Sequence, residues 1–142
     1  LIELILVMAI FSTLIGITSL SLFNIQHRTA LSADVSVFTA DLKQQQLRAM
    51  VGEGDGTGVS GSDYGIHFES GRYTLFRGSY GIQNFVVNLS NNDKFLPVPS
   101  DIVFTKGNGQ ISSGVSVTIR DAQGNTQKII SINKYGVVTG VN

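Results

Sequence analysis

The sequence predicts an α+β fold, in which one long N-terminal α-helix packs on a C-terminal antiparallel β-sheet domain. Three observations predict it. Residues 24–51 contain neither glycine nor proline, and their apolar positions recur at helical spacing. After Gly52 the period drops to two, and turn residues separate short runs rich in Val, Ile, Phe, Tyr and Thr. The chain has 142 residues and one change of character, at residue 52, which fits one domain of two parts: a helix over 1–51 and a β head over 52–142.

The helix has two halves, 1–23 and 24–51. In residues 4–23 only Ser, Thr and Gly interrupt the apolar side chains. Twenty residues at helical rise span about 30 Å, the thickness of a bilayer core. A cleaved signal peptide fits poorly, because no Lys or Arg precedes the run and no small-residue cleavage site follows it. Across 24–51 the apolar stripe is Leu31, Val35, Phe38, Leu42 and Ala49, with Gln45 filling one step. Its spacing alternates four and three, so these side chains share one face that needs a partner. Leu31, Val35, Phe38 and Leu42 are the expected contacts between helix and sheet. Leu47, Met50 and Val51 are expected to widen the stripe. Gly52 is the expected stop, with Arg48 in the last turn.

Residues 52–63, GEGDGTGVSGSD, read as a glycine-rich loop. YGIHFESGRYTLFR then reads as a hairpin. A Ser70-Gly71 turn pairs Glu69 with Arg72, Phe68 with Tyr73 and Ile66 with Leu75, and sends His67 and Thr74 to the other face. Residues 82–90 and 101–106 are strand-like, and Pro97 and Pro99 break the chain between them. In VSVTIRDAQGNTQKIISIN a Gly124-Asn125 turn pairs Asp121 with Lys128, Ile119 with Ile130 and Val117 with Ile132. KYGVVTGV supplies a last strand.

Ten basic residues balance ten acidic ones, so no general field draws nucleic acid or an anionic membrane. Arg120, Lys128 and Lys134 come without a basic excess or an aromatic platform, and nucleic acid is not an expected partner. The absence of cysteine excludes disulfides, thiol catalysis and Cys-ligated zinc. Glu53, Asp55 and Asp63 do not follow the calcium-loop pattern, and GEGDGTG lacks the Lys-Ser/Thr ending of a phosphate loop. His27 and His67 stand apart on helix and strand. Asn88-Leu89-Ser90 is a sequon by pattern alone. No cofactor, metal or catalytic residue is expected.

One residue is out of keeping with its surroundings. Glu3 sits among Leu1, Ile2, Leu4, Ile5, Leu6 and Val7, and the next charge is Arg28. A carboxylate in hydrocarbon costs at least about 2.5–3.5 kcal/mol on insertion scales. The simplest account is a Glu at the membrane interface, reaching to the headgroups.

Residues 1–17, LIELILVMAIFSTLIGI, resemble the N-terminus of type IV pilins and of the pseudopilins of type II secretion. Leu1-Ile2-Glu3 and Val7-Met8-Ala9-Ile10 match that family's pattern. DLKQQQLRAM, IVFTKGNG and the terminal KYGVV are loosely similar to minor pseudopilins. Leu20 stands where many pilins have a helix-breaking proline, and the paired C-terminal cysteines of many members are missing. The family's usual first residues and basic leader are also missing, so the resemblance implies a start slightly inside the mature protein.

The resemblance implies a pilin-like fold and a structural, non-enzymatic role. The protein would be a subunit of a pilus or pseudopilus filament, held in the bacterial inner membrane and then polymerised through its N-terminal helix into a cell-surface or periplasmic fibre. Glu3 would pair with the N-terminal ammonium of a neighbouring subunit and set axial register. Leu4, Val7, Ile10, Phe11, Leu14 and Gly16 would pack in the filament core. The partners implied are identical or homologous subunits, the inner-membrane assembly platform and a prepilin peptidase. The alternatives are a minor tip or priming subunit and a membrane-anchored DNA- or surface-binding domain.

Overall fold

The computed structural model describes residues 1–52, 62–81 and 84–142, the side chains of residues 18–27 and 91 excepted. The expected glycine-rich loop with Glu53 and Asp55, and the side chain of His27, lie outside the described residues. The fold is α+β. Helix α1 runs over Ile2–Val51 and stops at Gly52, where φ is 66° and ψ is 40°. Glycine suits this left-handed corner because it carries no Cβ to meet the carbonyl. The Gly52 N–H donates to the Arg48 carbonyl at 3.1 Å, and the Gly107 N–H caps the Ala49 carbonyl at 2.8 Å.

Two four-stranded antiparallel sheets follow, where the sequence led us to expect a single sheet. Strands β1 (Tyr64–Glu69), β2 (Arg72–Arg77), β3 (Asn84–Asn88) and β5 (Ile102–Phe104) form the first, in the order β3-β2-β1-β5. Strands β4 (Lys94–Phe95), β6 (Val115–Arg120), β7 (Gln127–Ile132) and β8 (Val138–Val141) form the second, in the order β4-β6-β7-β8. The split falls in residues 89–101. There a single 3-10 turn, Ser90–Asn92, carries the chain from the edge of the first sheet to the two-residue edge strand of the second. The Phe95 N–H donates to the Ser70 carbonyl at 2.7 Å, which ties β4 to the β1–β2 turn.

The β1–β2 hairpin has the register read from its turn: Glu69 faces Arg72, Phe68 faces Tyr73 and Ile66 faces Leu75. The β6–β7 hairpin does not. Val117 faces Ile130 and Ile119 faces Lys128, two residues away from the expected pairing. Positive φ at Gly124 alone would also suit a two-residue turn of the Gly-X kind at Gly124-Asn125, so the turn residues do not by themselves choose the register. Gly124 has φ 74°. The chain instead makes a four-residue loop, 122–125. Its Gly124 N–H donates to the Asp121 carbonyl, and the Asp121 carboxylate accepts from the Thr126 N–H at 3.1 Å. A shift of two keeps every side chain on its face, so Val117, Ile119, Ile130 and Ile132 still point into the core.

The core lies between the second half of α1 and the inner faces of both sheets. Leu31, Val35, Phe38, Leu42 and Ala49 are buried there, with Phe38 and Leu42 at 0% exposure. The Phe38 ring meets Tyr73 edge-on at 5.3 Å, and Phe68 and Phe95 at 5.8 and 6.1 Å. Phe68 and Phe95 pack edge-to-face at 5.0 Å across the two sheets. Burial of each such side chain contributes about 1.5–3 kcal/mol, which makes this cluster the main clamp on the helix. Gln45 is buried with them. Leu47, Met50 and Val51 do not widen the buried stripe, as expected from the sequence, but are exposed. Leu47 and Val51 follow the buried Gln45 and Ala49 by two residues, about 200° around the helix, and so face away from the head, while Ala49 stays fully buried.

Candidate functional site: the exposed apolar helix

The N-terminal part of α1, residues 1–17, lies outside the core. Every side chain over residues 1–17 is exposed, the lowest large apolar value being 49% at Val7. Leu4, Val7, Ile10, Phe11 and Leu14 all belong to this surface, and Gly16 faces open space. At 1.5 Å per residue the exposed stretch is about 25 Å long and apolar around its whole circumference. Exposed apolar patches on soluble monomers rarely exceed a few hundred Å². A helix of this kind requires a cover of lipid or of other helices. Among the described residues no helix is long and apolar enough to cross a membrane; the span expected over 4–23 ends among side chains outside them.

Glu3 lies in the first turn of α1 and is exposed. A carboxylate there complements the unpaired N–H groups and the positive end of the helix dipole. The same place gives it the first contact with whatever covers the helix end.

Three polar residues, which the sequence reading did not single out, bind the second half of α1 to the head. The Asp34 carboxylate accepts from the Ser90 N–H at 2.7 Å and the Ser90 hydroxyl at 2.8 Å. The Tyr73 hydroxyl donates to Asp41 at 2.6 Å. The Gln46 amide donates to the Tyr135 carbonyl at 2.6 Å and the Gly109 carbonyl at 3.2 Å. Asp34 and Asp41 are seven residues apart, hence on one side of the helix and beside the buried stripe. That spacing was the available signal. Burial, and next the hydrogen bond to Asp41, push the Tyr73 hydroxyl well above the usual phenol range. These contacts hold the head on the second half of α1, while residues 1–17 are exposed.

The remaining candidates have local roles. His67 Nδ1 lies 2.8 Å from Asp101 Oδ1, and its ring stacks on Tyr80 at 4.0 Å on the outer side of the first sheet. Asp63 accepts from the Lys106 N–H at 2.9 Å and so joins the start of β1 to the chain after β5. Among the described residues no three His, Asp or Glu side chains gather to hold a metal. A depression of about 530 Å³ lies beside the 3-10 turn, lined by Asn88, Asn92, Asp93 and Lys94 among others. Its walls are polar, whereas small-molecule sites are mostly apolar with few polar groups. No family model matches the chain, and searches of curated proteins and of solved structures return no match.

Proposed function

We propose that the chain is a structural subunit of a type IV pilus-like or pseudopilus filament, with a pilin-like fold and no catalysis of its own. In this reading residues 1–23 hold the subunit in the bacterial inner membrane before assembly. They then leave lipid for the company of identical helices in the filament core. The observation that carries the reading is the exposed apolar stretch of α1 over residues 1–17, in the same helix as a second half that is clamped to a β head. The resemblance of residues 1–17 to the family's N-terminus adds to it.

Glu3 is the directional element. Apolar side chains alone let parallel helices slide along one another. One carboxylate taken into that interface is stable only opposite a cation, and removing either partner of such a buried pair costs about 3–5 kcal/mol. The cation the family implies is the terminal ammonium of a neighbouring subunit. An inner-membrane platform and a prepilin peptidase are the further partners of this reading.

The test is assembly. Sheared cell-surface material from the producing cells should contain fibres built of this chain. Glu3→Ala and Glu3→Leu should lower fibre yield at least tenfold, since a loss of about 3 kcal/mol exceeds two decades in an equilibrium constant. Variants that assemble as well as the parent would remove Glu3 from this role.

A further inference from the structure

We propose that the outer edge of β3 is an interaction surface, and that its partner is the β3 edge of a second copy of this chain, paired antiparallel about a two-fold axis at Val86. The contact is separate from the filament reading, because a two-fold contact closes on itself and adds no further subunit.

An edge strand presents unpaired N–H and C=O groups, which proteins ordinarily protect by shortness, charge or a bulge. Among the described residues the sheets end at β3, β5, β4 and β8. β4 has two residues and carries Lys94, and β5 has three residues. β8 pairs across a register shift at Ser131/Ile132. β3 has none of these protections. It runs over Asn84–Asn88 in regular register against β2. No charged residue occurs from Gly78 to Asn92. Phe85 is 68% exposed and Val86 47%.

The alternation of hydrogen bonds decides which groups face outward. The Leu89 N–H donates to the Gly71 carbonyl at 3.0 Å. In the same register Val87 and Phe85 turn their backbone groups toward β2. Those of Asn84, Val86 and Asn88 therefore point to the far side, where no strand lies among the described residues.

Three features select a second copy as the partner. The outward positions are symmetric about Val86, so antiparallel pairing sets Val86 against Val86 and Asn84 against Asn88. All of them then bond at once, through about six backbone hydrogen bonds. A shift of one residue would set outward groups against inward-turned ones. The side chains fit the same register: Phe85 of each copy comes opposite Val87 of the other, an aromatic against a β-branched residue. The neutral stretch lets identical edges meet without like charges opposite each other.

The test uses the full chain in detergent, which covers residues 1–17. Sedimentation equilibrium of the parent should show a monomer–dimer equilibrium; a parent that stays monomeric up to its solubility limit overturns the proposal. The chain has no cysteine, so single introduced thiols are unique. Opposed residues on the axis have Cα atoms about 5.5 Å apart, within disulfide reach. Val86→Cys should therefore cross-link to itself under mild oxidation. Asn84→Cys should not, since its two copies lie about 14 Å apart, but it should cross-link in a mixture with Asn88→Cys. Ser113→Cys, in an exposed loop, measures random collision. Val86→Cys linking no faster than Ser113→Cys, or Asn84→Cys linking to itself as readily as to Asn88→Cys, overturns the pairing. Val86→Lys, which sets two ammonium groups against each other at an exposed position, should raise the dimer dissociation constant about tenfold or more with circular dichroism unchanged. An unchanged constant overturns the proposal and leaves the filament reading standing.

Discussion

Tyr73 shows how a single hydrogen bond couples helix, sheet and pH. Its hydroxyl is buried and donates to Asp41, so the folded state keeps the proton more tightly than the unfolded chain, whose phenol titrates near pH 10. Below about pH 10 both states are protonated and the contribution is fully present. Above it the unfolded chain loses the proton first, so stability falls as pH rises. The Tyr73→Phe variant should lose about 1–3 kcal/mol near neutral pH, because Asp41 keeps its desolvation without its donor. It should also lack Tyr73's share of the alkaline decline. Urea unfolding at pH 8 and at pH 11 measures both. A variant with the parent's alkaline slope would show that the proton is held elsewhere. This bond joins residues that are far apart in the chain, so spacing alone could mark Asp41 as lying beside the stripe but not name its acceptor role.

At the scale of elements, pattern and turn chemistry succeed when they agree and fail by whole steps when they do not. The β1–β2 register follows from a two-residue turn at Ser70-Gly71, where the faces and the Glu69–Arg72 pair concur. In the β6–β7 hairpin the faces concur with either register, because a shift of two preserves alternation. The loop made by Asp121 and Gly124 decides between them. The outer face of the first sheet holds a further constraint that no period reveals. A Cβ on Gly65 would come within 2.3 Å of the Phe76 ring, which lies across the strand and is itself buried. Gly65→Ala should therefore cost about 1–3 kcal/mol as an overpacked site, read as a fall in melting temperature. Adding Phe76→Leu should recover part of it. A Gly65→Ala variant as stable as the parent would mean that the ring moves aside freely.

At the scale of the whole molecule, α1 is buried on one face over residues 31–49 and exposed over residues 1–17. Its two halves should be energetically separate. Deleting residues 1–17 removes no buried side chain of the head, so the head's melting temperature should change by no more than a few degrees, equivalent to less than about 1 kcal/mol. The shortened chain should stay dispersed without detergent at concentrations at which the full chain sediments. A large fall in melting temperature would show that the apolar half folds back on the head. The helix and its stop at Gly52, the buried stripe of residues 31–49, the β character of the head and the oddity of Glu3 are determined by local properties: period, propensity, turn residues and one charge among apolar neighbours. The division into two sheets, the pairing of Asp34 with Ser90 and of Tyr73 with Asp41, and the exposure of Leu47 and Val51 were decided only in three dimensions. Each depends on which surfaces run out of partners once the core has closed, and that is a property of the packed chain, since an apolar side chain reads the same in sequence whether its own fold or a neighbour will cover it.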